Sequence, residues 1–85
     1  MSARAYVLLD VMHGKGEQVA EVLRNSPGVV VVDLLEGPPN LLMMIEAADR
    51  QKLANLTIEA LTLVESMTEG TYLLPVQNGS MASKE

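Results

Sequence analysis

The 85-residue chain has no cysteine, tryptophan or phenylalanine, only two tyrosines and a single histidine. The lack of cysteine excludes disulfides, thiolate metal sites and thiol nucleophiles. One histidine excludes an intrachain metal site built from several imidazoles. With aromatics so scarce, any core must be aliphatic, drawn from Val, Leu, Ile and six Met. There is no run of about 18 or more uncharged apolar residues that could span a bilayer. Met1-Ser2-Ala3-Arg4-Ala5 leads almost at once into a strand and lacks a signal-peptide layout, so the expected location is the cytoplasm. Basic residues are also few. Arg4, Lys15, Arg24, Arg50, Lys52 and Lys84 are scattered among eleven acids, giving a formal net charge of −5 and a pI near 4.7. Nucleic-acid affinity rests largely on neutralised phosphates, so direct binding to DNA or RNA is not expected. A membrane-surface role has no cationic amphipathic helix to support it. Gly14-Lys15-Gly16 lacks the further glycine, Lys and Ser/Thr of a phosphate loop. No metal or cofactor is expected.

What the chain does have is apolar surface: 48% of its residues are hydrophobic. That is enough for one folded domain, expected over residues 1–76, and there is no room for a second core. A domain this small usually needs disulfides, a metal or oligomerisation to be stable. With the first two gone, oligomerisation remains.

Taken in order, Ala5 to Met12 alternates as a strand, with Ala5, Val7, Leu9 and Val11 on one face. A loop at His13–Gly16 precedes a helix over 17–25, striped by Val19, Val22 and Leu23 and ended by Ser26-Pro27-Gly28. Two apolar runs, 29–35 and 41–47, flank Glu36-Gly37-Pro38-Pro39-Asn40 and read as a β-hairpin around a stiff turn. Asp49 is placed to N-cap a second helix over 50–64, with Leu53, Leu56, Ala60 and Val64 as its main stripe. Ile58, Leu61 and Leu63 spill beyond that stripe. A loop over 65–69 leads to a last strand, 71–76, and Pro75 there argues that this strand lies at an edge or is finishing. Residues 77–85 form a polar tail, expected to be disordered.

The order β-α-β-β-α-β is that of a ferredoxin-like α+β fold, a four-stranded antiparallel sheet with both helices on one face. The helices cover one face only. The other keeps many aliphatic side chains: either Val30, Val32 and Leu34 or their neighbours, with Leu8 or Leu42 and Met44. So large an apolar patch exceeds what a monomer normally exposes. A second sheet packed about 10 Å away would bury it. The expectation is a homodimer with facing sheets, able to build into a larger ring.

Several segments carry a family likeness. Ala5-Tyr6-Val7-Leu8-Leu9, Gly14-Lys15-Gly16-Glu17-Gln18-Val19-Ala20-Glu21-Val22-Leu23, Pro27-Gly28-Val29, the hairpin Glu36 to Leu42 and Thr71-Tyr72-Leu73 follow one another in a familiar order and spacing. Together they resemble the effector-binding (RAM) domain of the leucine-responsive/asparagine-responsive (Lrp/AsnC) regulators. The resemblance spans residues 3–76. It implies a module that senses a small molecule, such as an amino acid, between dimers and co-assembles with a full-length regulator. The family's regulators carry an N-terminal helix-turn-helix, whereas here the first strand begins near Ala5, so this chain resembles the effector domain alone.

The ligand-binding candidates implied are Gly37, Pro39 and Asn40 of the hairpin and Thr71 of the last strand. Two departures bear on them. Pro38 and Pro39 follow Gly37 and have no N–H to offer a ligand carboxylate. Asn40 stands where the family usually has Asp, which replaces a charged partner for an ammonium with a neutral amide. A rigid surface turn that binds nothing is the alternative, and with it a purely structural oligomerising protein.

Other proteins of this architecture are small enzymes, and the titratable side chains that could serve such a role here are Tyr6, Asp10, His13, Asp33, Glu46 and Tyr72. Asp10 and Glu46 are the sharpest pair, since a carboxylate buried between sheets could serve as a base. The plainer reading puts both at the sheet rim, in water or paired with Arg4. No catalytic residue is assigned.

Overall fold

The computed structural model of the protein describes residues 2–76. Strand β1 (Ala3–Val11) is followed by α1 (Gly16–Arg24), β2 (Val29–Leu34), β3 (Leu41–Ala47), α2 (Arg50–Val64), a 3-10 turn (Glu65–Met67) and β4 (Thr68–Val76). The strands lie in the order β2-β3-β1-β4, all antiparallel, which is the ferredoxin-like α+β sheet. β4 is an edge strand, one of the two positions Pro75 allowed. The tail expected at 77–85 lies outside the described residues.

The last strand begins earlier than its sequence suggests. The 3-10 turn at Glu65–Met67 delivers the chain to β1 three residues sooner than expected, and the Met12 N–H donates to the Met67 carbonyl at 2.9 Å. A register shift between Asp10 and Val11, opposite Gly70 and Thr68, breaks the alternation of that segment. This is why 65–69 reads as a loop.

One face of the sheet is dry. Val7, Leu9, Leu41 and Met43 are fully buried beneath Val19, Ala20 and Leu23 of α1 and Ala60 and Val64 of α2, and Ile45 is buried against Leu53 of α2. The core is aliphatic, with Ser26 and Thr57 as buried polar side chains among the described residues. Asp49 caps α2 as expected, its Oδ1 accepting the Lys52 N–H at 2.8 Å, a cap worth about 1 kcal/mol. The buried stripe of α2 is Leu53, Thr57, Ala60 and Val64. Thr57 replaces Leu56 at its centre because its hydroxyl donates to the Leu53 carbonyl at 2.7 Å and so enters the core satisfied. Ile58 and Leu63 face outward, 63% and 60% exposed.

Gly28 fixes how α1 hands over to β2. Its φ of +84° is a conformation that L side chains avoid, and an added Cβ would stand 2.7 Å from Leu56 Cδ1 and 3.0 Å from the Glu46 carbonyl. That closeness lets the Glu46 N–H donate to the Gly28 carbonyl at 2.8 Å, pinning one end of the β2–β3 pair. At the other end the Leu35 N–H donates to the Asn40 carbonyl at 2.8 Å. From Gly28 to Leu35 the chain advances seven residues, while from Asn40 to Glu46 it advances six, so one residue of β2 must bulge. The register shift falls between Val29 and Val31, at Val30, which is 52% exposed. The bulge settles which β2 residues face where. Val32 and Leu34 pair with Met43 and Leu41 on the helix side, while Val31 and Asp33 pair with Met44 and Leu42 on the open side.

The helices sit off-centre. α1 packs mainly on β2, and α2 on β3 and β1, so neither covers β4. Leu73, on the helix side of β4, is therefore 54% exposed beside an apolar groove of about 270 Å³ whose lining includes Ala5, Leu53 and Ile58. No helix among the described residues is long and apolar enough to cross a membrane.

Candidate functional site

Two regions are candidates: the open sheet face and the β2–β3 hairpin. On the open face the even-numbered residues of β1 and β3 meet in cross-strand pairs, Arg4 with Glu46, Tyr6 with Met44 and Leu8 with Leu42. β4 adds Leu74 beside Tyr6 and Tyr72 beside Leu8. β2 adds Val31 and Asp33. Tyr72 and Leu74 are each 52% exposed. The face is thus apolar in its middle, with polar groups toward the ends of the strands.

Those polar groups are dispersed. Arg4 Nη1 lies 4.0 Å from Glu46 Oε2, a half-exposed ion pair worth well under 1 kcal/mol. Asp10 stands six residues further along β1 than Arg4, roughly 20 Å away, so Asp10 and Glu46 cannot act on one reacting atom within a chain. Asp10 Oδ2 and the Tyr72 hydroxyl instead border the space above Gly70, each within 3.7 Å of where a Cβ would sit. Gly70 is the signal in the sequence that marks this small gap. His13 is exposed in the loop after β1. Among the described residues no three His, Asp or Glu side chains converge to hold a metal ion.

The hairpin is organised by Asn40. Its Oδ1 accepts the Val11 N–H at 2.8 Å, its Nδ2 donates to the Val11 carbonyl at 3.2 Å, and its own N–H donates to the Leu9 carbonyl at 2.9 Å. The side-chain amide thereby stands in for a backbone peptide and carries the β3–β1 ladder past its last regular pair. A carboxylate could accept from Val11 but could not donate to its carbonyl, which gives a physical reason for Asn where the resembling family has Asp. Gly37 has φ +79° and open space around it. Among the described residues, neither the Glu36 nor the Gly37 N–H has a hydrogen-bond partner. Pro39 is half-buried, and the Pro38–Pro39 peptide is cis. Thr71 is exposed on β4 opposite Leu9. β1 lies between Thr71 and the end of β3, a separation of about two strand spacings, or roughly 10 Å. The structure therefore gathers Gly37, Pro39 and Asn40 in one turn and sets Thr71 apart at the same end of the sheet.

No family model matches the chain, and no curated protein sequence matches it. Solved structures do match. Hypothetical protein PHS023 from Pyrococcus horikoshii is 19% identical over the whole of both chains, with a TM-score of 0.81. The transcriptional regulator NMB0573 of Neisseria meningitidis, solved as a complex with L-Met, is 17% identical with a TM-score of 0.71. The match covers 95% of this chain and 53% of that one, so this chain spans about half the regulator's length. The E. coli Tat proofreading chaperone NapD is 20% identical, with a TM-score of 0.72, over 99% of this chain and 86% of NapD. At these identities the likeness is one of fold. The effector-domain resemblance holds at that level, and the same architecture also serves a chaperone.

Proposed function

We propose that the protein is an assembly and small-molecule-sensing module. It pairs with a second copy through the open sheet face, presents its hairpin and Thr71 to a small amino acid or similar metabolite, and acts by co-assembly with a full-length regulator. The observation that carries this reading is the open face itself. Tyr6, Leu8, Leu42, Met44, Tyr72 and Leu74 form one contiguous apolar surface, and water-exposed surfaces of this kind mark contacts with partners. The sensing half is supported by the fold shared with a regulator solved with bound L-Met. It is supported also by the unpaired Glu36 and Gly37 N–H groups, which are free to receive a carboxylate although the two prolines offer none. No catalytic role is assigned, in keeping with the dispersal of the acids.

A second reading has its own observation. Both ends of the Asn40 amide are spent on Val11, which favours a structural turn and a purely oligomerising protein. One pair of measurements separates the two. Light scattering at micromolar concentration should give a dimer or a multiple of one, and a stable monomer would sink the assembly reading. Thermal shift against the twenty amino acids, beginning with L-Met, should raise the melting temperature for at least one. A confirmed oligomer that responds to none of them leaves the structural reading standing.

A further inference from the structure

Helix α2 carries two stripes of side chains, and the core absorbs one of them. Leu53, Thr57, Ala60 and Val64 are buried. A second stripe, Arg50, Ala54, Ile58, Leu61 and Glu65, recurs every three or four residues along the flank of the helix nearer β4. Ala54 and Ile58 line the apolar groove of about 270 Å³ on its α2 side, and Leu73 lines it on the β4 side. Arg50 and Glu65, at the two ends of the stripe, are exposed, and neither forms an ion pair among the described residues.

Those two charges stand the wrong way round for their own helix. A helix carries partial positive charge at its N-terminal end and partial negative charge at its C-terminal end. Beyond the Asp49 cap, α2 opens on Arg50 with no acid in its first turn, and it closes on Glu65 with no base in its last turn. Each charge is disfavoured where it sits, yet each matches the opposite end of a helix running antiparallel beside it. α2 itself is such a helix. Arg50 and Glu65 are equidistant from the midpoint of the stripe, between Thr57 and Ile58, and so are Ala54 and Leu61. A two-fold axis through that midpoint sets Arg50 against Glu65, the small Ala54 against the larger Leu61, and Ile58 beside its own copy.

We propose that the α2 helices of two copies pack antiparallel about this axis, each Ile58 entering the other copy's groove beside Leu73, with an Arg50–Glu65 ion pair at either end. The contact lies on the helix side of the sheet, opposite the open face, so it forms or fails independently of the pairing proposed above. The stripe spans about 22 Å of helix, less than a standard interface requires, and the contact is accordingly weak and best read by covalent trapping.

The absence of cysteine makes the seam directly testable, because single introduced thiols have no competitors. Ile58→Cys, next to the axis, should give a disulfide-linked dimer under mild oxidation. Leu63→Cys, on the same helix but outside the stripe, should not, although Leu63 is 60% exposed against 63% for Ile58. Equal yields from the two variants would overturn the proposal. So would no yield from Ile58→Cys, which would leave the stripe to a helix of another protein. In the Ile58→Cys chain, Arg50→Glu or Glu65→Arg alone should cut the yield at least about tenfold, because like charges then meet across the axis. Both reversals in one chain should restore it. Within one chain the two residues are a helix length apart, so this rescue can act only between copies. Neither reversal should lower the melting temperature, since each new charge agrees with the dipole of its own helix. A single reversal that keeps the full yield, or a double one that fails to restore it, would count equally against the contact.

Discussion

The two faces of the sheet are built from alternate residues of the same strands, yet their fates differ. Val7, Leu9, Leu41 and Met43 are sealed from water. Their immediate neighbours Tyr6, Leu8, Leu42 and Met44 remain partly exposed. The residue chemistry on the two sides is nearly the same. What differs is cover, since α1 and α2 both lie on one side. Apolar alternation records how much surface the chain needs to bury, and the element order records how much of that need the chain meets by itself. The excess on the open face is the part that the proposed pairing would bury.

Substitutions on the two faces should therefore fail in different ways. The largest effect is expected at Leu9→Ala, which opens a cavity under both helices and should cost about 3 kcal/mol, read as a lower urea midpoint with an unchanged slope. Leu42→Arg places a charge at the centre of the open face. It should weaken the proposed dimer by about 100-fold, equivalent to about 2.7 kcal/mol, while circular dichroism still reports a folded chain. If Leu42→Arg unfolded the chain as Leu9→Ala does, the contrast between the faces would be lost. Asn40→Asp keeps one of the two side-chain bonds to Val11 and sets a carboxylate against a carbonyl, so a loss of about 1–2 kcal/mol in chemical denaturation is expected. The smallest effect belongs to Arg4→Ala at the half-exposed ion pair: under 0.5 kcal/mol in monomer stability, and less at high salt.

Much of the fold was legible because local signals agreed with one another. The β3 and α2 boundaries, the Asp49 cap and the edge position indicated by Pro75 all follow from residue type and spacing. The faces of β2 were not legible. Four consecutive valines, Val29 to Val32, have no alternation to read, and the strand's register is set by hydrogen bonds at its two ends and by the residue count between them. Thr57 was missed because a hydroxyl bonded to its own helix is invisible in a hydropathy pattern. At the hairpin the sequence showed what Pro38, Pro39 and Asn40 withhold from a ligand. It could not show that Asn40 is engaged with Val11, 29 residues earlier in the chain, since that is a product of the folded topology.

The bulge at Val30 has a consequence for solubility. β2 is an edge strand whose first four residues are all valine, a composition that in a flat strand invites one chain to zip onto the next and start a fibril. A strand pinned at both ends with one residue too many cannot lie flat. Its free edge is kinked at the second valine and carries Asp33 three residues on, so an incoming strand would find its hydrogen bonds out of step and a carboxylate in its way. The surplus residue acts as a guard against runaway strand addition.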